Sequence, residues 1–471
     1  MYQLFFSPLR NIPGPLLAKL SQYYIILVDV AGTRTSHIHE LHKGYGSAVR
    51  IGPSEVSFSN IETIKELYAP ATPYMKAPWY EAMSTPPLGV FSLTDKKAHS
   101  DRRRLVSHVF SQSNLLETEP LVAQHVSNLA KRVRNGVGKP LNMLGLFRSF
   151  SLDVVGDLFL GRSFEALDSD ELPQFAHDVD YNFILRGIGY AFPWLEYILY
   201  RLPIPSVKYF ITANDRIAAF AKNAFYDYID QHGRDSGRKD LLTKMLAIKS
   251  EDARLSDKAA YLELANFIFA GTDTTSTTLV YLFWELARHP EWQQRLKQEL
   301  DTHLKGDNLE IPKLIEVQDL PILEAVTNEA LRLHPAAPAS LVRVVPRGGR
   351  TLNGHFMPEN TVVSMQCYTT QRDPHVFPSP DDFKPERWLD EHNVTDDMRE
   401  LFMPFSRGTR ACLGKSLAIM ELKLPTATLV RDLLVELAPS ATEDCMAMTD
   451  HFLVQPKGGK CELIFVGWSQ K

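Results

Sequence analysis

The spacing of apolar and polar positions divides the chain unevenly. From about Asp95 to Leu300 the pattern is dominantly that of helices. Its clearest element starts near Ser256, whose hydroxyl can accept from a free first-turn amide, and runs to His289, where Pro290 stops it. This helix is long for a globular protein. Within it, Ala270-Gly271-Thr272-Asp273-Thr274-Thr275 is a run of mostly poor helix formers, so the sequence gives up stability there. A second helix is expected from Pro321, suited to a first-turn position, to His334-Pro335. Arg50 to Phe58 reads as two short strands around a turn at Gly52-Pro53, and Leu341 to Met365 as Pro-rich turns and short strands. A long irregular stretch follows to Cys412, with a helix directly behind it. The expected fold class is mainly α (α+β): a large helical part with a long central helix, plus a small β-rich part.

The N-terminal apolar patches are short. Leu4, Phe5 and Phe6 are closed off by Pro8 and Arg10, and Tyr23 to Val28 ends at Asp29. A spanning helix needs ~20 apolar residues, so the chain as given is not expected to cross a membrane: it is soluble, or it lacks an upstream anchor. Asn11 to Pro15 is a rigid, non-helical lead-in. Residues 1–12 therefore read as a truncated or absent membrane-anchor region, and 13–471 as a single domain. The 471 residues are 44% hydrophobic and 23% charged, enough for a sizeable core. A net charge of −5 provides no basic field for nucleic acid. Cys367, Cys412, Cys445 and Cys461 are too few and scattered for a disulfide framework. They suit a reducing compartment, in which the sequon at Asn393 is not expected to be glycosylated.

The chemistry concentrates at Phe405-Ser406-Arg407-Gly408-Thr409-Arg410-Ala411-Cys412-Leu413-Gly414. One cysteine lies between glycines, beside arginines and just before a helix. Positive charge and a helix N-terminus both lower a thiol pKa, so Cys412 is expected to form a thiolate that serves as nucleophile or metal ligand. No histidine in the segment could act as the base of a Cys-His hydrolase. The long pattern F-x-x-G-x-R-x-C-x-G resembles the haem-binding loop of the cytochrome P450 superfamily, and the resemblance extends from about Pro13 to Phe465.

The resemblance implies haem b with Cys412 as the axial iron ligand, flanked by Phe405 and Gly414, and with Arg410 paired to a propionate. Glu329-Ala330-Leu331-Arg332 puts Glu and Arg on one helix face. Followed by Phe383 to Trp388, it resembles the family's buried ion cluster, so Glu329, Arg332 and Arg387 are expected to be structural. Ala270 to Thr275 resembles the oxygen-activation segment. Small Ala270 and Gly271 would leave room for O2 and substrate, Thr274 would hold a water, and Asp273 would relay protons to it. His99 stands where the family often has Trp, one turn before Arg103; both, with Arg343, are expected to contact propionates.

As partners the resemblance implies O2, a small apolar organic substrate and electrons from NADPH through NADPH–cytochrome P450 reductase, with cytochrome b5 as a further donor. Arg407, Lys415, Lys423, Lys96 and Lys97 are expected to give the reductase a positive docking face. The location implied is the cytosolic face of the endoplasmic reticulum membrane if an anchor is missing, and the cytoplasm otherwise. The N-terminal pattern and His99 resemble fungal microsomal members, many of them in specialised metabolism. Substrate-lining segments would be Tyr74 to Phe91, Phe183 to Phe210, Phe267 and Ala270, Ala337 to Leu341, and Asp450 to Phe452; the second is rich in aromatics and could rest on a bilayer. Competing readings are a haem-thiolate isomerase or dehydratase and a non-catalytic haem protein. The retained Asp273–Thr274 pair argues against both.

Overall fold

The computed structural model describes residues 1–84, 86–169, 171–247, 255–306, 310–389 and 394–468, so Asn393 of the sequon lies outside the described residues. The ten longest helices among the described residues are α1 Arg34–Tyr45, α2 Lys96–Ser107, α3 Gln112–Asn135, α4 Met143–Leu160, α5 Gln174–Ala191, α6 Ala213–His232, α7 Asp257–Arg288, α8 Pro290–His303, α9 Pro321–Leu333 and α10 Lys415–Asp432. The strands are β1 Ala48–Gly52, β2 Glu55–Phe58, β3 Met75–Lys76, β4 Pro140–Asn142, β5 Arg343–Val344, β6 Arg350–Leu352, β7 His355–Met357, β8 Val362–Met365, β9 Leu433–Leu437, β10 Met448–His451, β11 Leu453–Pro456 and β12 Glu462–Gly467. Helix dominates and the sheets are small, as the sequence pattern requires.

The long helix lies where the sequence places it. Ser256 Oγ accepts from Ala259 N at 3.3 Å, and Pro290 opens α8 after the cap at His289. Its weak segment does not break. The hydroxyls of Thr272, Thr274 and Thr278 donate to the carbonyls four residues back, and α7 runs through. Gly271 has a different task from the one its sequence context suggests. A Cβ there would stand 2.6 Å from Val155 Cγ1 of α4, so the glycine lets two core helices approach rather than opening space for O2. Around this contact Phe147, Leu158, Phe283, Leu286, Leu323 and Leu429 form the main core. Each such burial is worth roughly 1.5–3 kcal/mol.

The second core lies under a five-stranded sheet of order β1-β2-β8-β5-β3, in which β2 pairs with β8 in parallel and the other neighbours are antiparallel. Val56, Phe58, Val363 and Met365 are buried there, with Leu9 and Ile12 of the N-terminal segment.

The stretch between β8 and Cys412 holds short helices at Cys367–Thr370 and Asp396–Leu401 and 3-10 turns at Pro385–Trp388 and Gly408–Arg410. Side-chain bonds hold much of it in place. Glu329 and Arg332 of α9 are fully buried and pair through two bonds of 2.9 Å. Arg387 Nε, Trp388 Nε1 and the Lys384 amide also donate to the Glu329 carboxylate, at 3.0, 2.9 and 2.8 Å. Arg332 in turn donates to the carbonyls of Gln371, Pro380 and Asp382, and Arg387 to those of Pro378 and Ser379. Breaking a buried pair strands the surviving charge, at about 3–5 kcal/mol. Glu329→Ala or Arg332→Ala should therefore yield little stable protein. Normal folded yield and melting temperature in either variant would contradict that.

Candidate active site

Backbone geometry explains the glycine of the cysteine loop. Gly408 has φ +63°, and a Cβ would lie 2.2 Å from the Tyr68 carbonyl oxygen, so no side chain fits. Ser406 also has positive φ, and the tight loop closes with Cys412 N donating to Phe405 O at 2.9 Å. At Gly414 a Cβ would find Phe110 Cε1 as its nearest neighbour, 4.0 Å away. The protein's own atoms thus leave space beside the cysteine. Phe110 also meets Phe267 of α7 edge-on at 5.3 Å, linking the loop to the central helix.

Cys412 lines a cleft of about 530 Å³ with Phe405, Lys415, Gln112, Leu115 and Met403. The thiol is open to this cleft, yet the surrounding walls desolvate its ionised form. Burial pushes its pKa up, and the Gly414 amide, Arg103 and Lys415 only partly offset that. The protein alone therefore does not lower this thiol, contrary to the expectation from sequence.

Around the loop stand five basic side chains. Arg410 donates to the carbonyls of Leu93 and Thr94 at 2.6 and 3.0 Å, and Arg103 to that of Ala411 at 2.8 Å. His99, one turn before Arg103 on α2, is buried. Arg343 of β5 is buried as well, and directly across the antiparallel ladder from it sits Lys76 of β3. Lys76 Nζ donates to Phe91 O at 2.6 Å and lies over the rings of Tyr80 and Phe91. Like charges directly opposite in a ladder are destabilising, and among the described residues no carboxylate forms a salt bridge with any of the five. The charged states of Arg410, His99 and Lys76 suffer accordingly. Burial, then Arg343, lowers Arg410 to about 10; burial, then Arg410, Lys76 and Arg103, lowers His99 to about 3; burial, Arg343 and Arg410 depress Lys76 strongly. Such a set of donors fits a ligand that brings carboxylates of its own. Sequence spacing did not reveal Lys76, because only strand register brings it to Arg343.

The loop that receives Arg410 also reaches α7: Val90 N donates to Glu263 Oε1 at 2.8 Å. Along the buried middle of α7, Asn266 and Ala270 are exposed and Thr274 half-exposed, at four-residue intervals on one face. Thr274 Oγ donates to Ala270 O at 2.7 Å. Asp273 does not share that face. It is buried against α4, where Arg148 Nε donates to Oδ1 at 2.7 Å and Arg148 Nη2 to Asp180 Oδ1 of α5 at 2.8 Å. Burial raises the Asp273 pKa against the pull of Arg148, and Asp180 adds to the rise. Neither Arg148 nor Asp180 is marked by any sequence motif. Glu329, Arg332 and Arg387 form their own cluster, described above, outside this constellation.

The expected positive docking face is smaller than the sequence suggests. Lys423 is buried and paired with Glu324, Arg407 pairs with Glu400 at 2.7 Å, and Lys97 pairs with Asp101 at 2.9 Å. Lys415 stays exposed at the cleft.

A mainly helical chain whose exposed Cys412 sits in a loop braced by Arg103 and Arg410, with further buried cations behind them, has the makings of a haem-thiolate protein. The family model for cytochrome P450 matches residues 13–463. Cytochrome P450 monooxygenase tazI of Aspergillus terreus is 32% identical across 98% of this chain and 94% of its own length. Averantin hydroxylase of Dothistroma septosporum is 32% identical across 91% of this chain and 81% of its own. Cytochrome P450 monooxygenase aflV of Aspergillus parasiticus is 30% identical across 98% and 92%. The chain belongs to the cytochrome P450 family and is a haem-dependent monooxygenase that requires O2, a substrate and a redox partner.

Proposed function

We propose that the chain inserts one oxygen atom from O2 into a small apolar specialised metabolite, with haem b held by Cys412 and electrons drawn from NADPH through a flavoprotein reductase. The observation that carries this reading is the set of five basic side chains, without a salt bridge among the described residues, near Cys412, the most open of the four cysteines. Arg410, Arg103, His99 and Arg343 would hold the haem propionates, joined by Lys76. When bound, the haem supplies oxygen binding and two-electron activation. The protein's part is to exclude water with the rings of Trp79, Tyr80 and Phe91, to offer Ala270 as a small surface for substrate, and to hold a water at Thr274 Oγ. Asp273 resupplies the proton after letting go of Arg148. Oxygen-dependent NADPH consumption with reductase, and label from dioxygen in the product, test the reading. Product formed in the absence of O2 would overturn it.

Lys76 gives a test with two opposite signs. Lys76→Met should stabilise the haem-free protein slightly, by about 0.2–1 kcal/mol, because a like charge opposite Arg343 is gone. The same change should speed haem loss to apomyoglobin by roughly ten-fold, since a charge-assisted contact to carboxylate is worth about 1.5–3 kcal/mol. Unchanged haem release would remove Lys76 from the cradle.

Reductase docking would use the cleft face around Lys415. Lys415→Glu should slow reduction at low salt and lose that effect as salt rises, without altering substrate affinity. Lys423→Glu should instead reduce folded yield, because it places a carboxylate at a buried position next to Glu324. Equal reduction rates for Lys415→Glu and the parent at low salt would exclude this surface.

Among the described residues no helix is long and apolar enough to cross a membrane. Tyr190, Trp194, Tyr197 and Tyr200 are nevertheless exposed, and Tyr23 of the N-terminal segment stacks on Phe192 at 6.1 Å. An apolar surface of this kind suits peripheral contact with the endoplasmic reticulum bilayer.

A further inference from the structure

Phe452 has φ +82°, a conformation that favours glycine, at the one-residue tip between β10 and β11. The surrounding packing explains why a phenylalanine is held there. Its ring stacks on Phe183 of α5 at 5.5 Å and 17°, meets Phe91 edge-on at 5.9 Å and 79°, and lies 5.9 Å from Trp79. Phe183 continues to Phe269 of α7 at 4.4 Å, next to Ala270. At the other end Phe91 meets Tyr80 edge-on at 5.5 Å, beside Lys76 and Arg343. One aromatic wall therefore joins the basic cradle to the Ala270 face of the central helix. Trp79, Phe183, Phe269 and Phe452 are only half-buried and Phe91 is 46% exposed, so the wall is not closed over by the protein's own packing.

We infer that this wall selects a flat aromatic substrate without positive charge; the inference rests on the monooxygenase reading above and specifies its substrate class. The wall alternates faces and edges, and a further aromatic ring extends that pattern with offset or edge-on contacts. A saturated ligand of equal size gains only area burial from it. A cationic ligand is disfavoured, because Lys76 Nζ already occupies the faces of Tyr80 and Phe91, at 4.0 and 4.4 Å, and Arg343 stands beside them. Asn266, exposed one turn before Ala270 on the same helix face, is hydrogen-bonded through its side chain to Glu263 and adds no further cation beside the wall.

The matched probes are 2-naphthol and decahydro-2-naphthol, which share skeleton and hydroxyl and differ in aromaticity. Each is titrated into the haem-loaded full chain while the haem absorption shift is followed. The parent should bind 2-naphthol about ten-fold more tightly. Phe452→Gly, which keeps the backbone conformation and removes the ring, should lose most of that preference, with decahydro-2-naphthol affinity changed less than about two-fold. Phe183→Leu, which keeps bulk but not the ring, should behave alike. Equal affinities in the parent, or a preference that survives in both variants, would overturn the inference. The carbon monoxide band of the same preparations reports separately on the haem-thiolate reading: its presence alongside equal affinities would refute the substrate class alone.

Discussion

Cys412→Ala is expected to abolish both product formation and the far red-shifted carbon monoxide band of the reduced protein, whereas Cys367→Ala, Cys445→Ala and Cys461→Ala should keep the band. The four cysteines differ in what surrounds them. Cys367 and Cys461 are buried in apolar surroundings that push each thiol up to about 12, and Cys367 Sγ donates to the Ala337 carbonyl at 3.4 Å. Cys445 packs against Gly458 and Lys460 near the β10–β11 hairpin, away from the basic cradle. Cys412 alone combines access to a cleft with Arg103 and Lys415 nearby, and a thiolate there is what an iron would draw on. A band that persists in Cys412→Ala would refute the ligand assignment.

The parts of this molecule that were legible in the sequence are those fixed by neighbouring residues. A serine cap and a proline stop define α7 because both act within one turn. The β1–β2 hairpin follows from its Gly-Pro turn, and the cysteine loop from a glycine that no side chain can replace. Glu329 and Arg332 are visible because three residues of helix bring them to one face. What remained hidden depends on partners far away in the chain. Lys76 becomes a cradle residue only when β3 pairs with β5. Asp273 looks like a free relay carboxylate until α4 and α5 bring Arg148 and Asp180 to it. Gly271, read as space for oxygen, proves to be space for Val155. Lys423, read as a surface cation, turns inward to Glu324. In each case the residue type was informative, and the direction of the side chain was set by packing that periodicity does not encode.

That direction matters most for Asp273, and it shapes the prediction that separates oxygen insertion from rearrangement. Thr274 Oγ gives its hydrogen to Ala270 O and keeps its lone pairs free to accept from a water on the exposed face of α7. Thr274→Ala removes that anchor. It should still bind substrate and consume NADPH, yet divert much of the reducing power to hydrogen peroxide. Thr274→Ser should restore coupling. Asp273→Asn acts at the opposite side of the helix. It keeps the shape of the site but removes the titratable group, and leaves Arg148 with Asp180 as its remaining carboxylate partner. Proton resupply should then limit every turnover, slowing NADPH consumption and product formation together by roughly 10²-fold, within the range of general acid–base effects. The distinguishing quantity is product formed per NADPH consumed, with peroxide counted in parallel: low for Thr274→Ala, near the parent value for Asp273→Asn. An isomerase or dehydratase would need neither O2 nor NADPH, and neither variant would release peroxide. If Asp273→Asn turned over at the parent rate, its ion pair with Arg148 would be a structural contact between α7 and α4 and no part of proton delivery.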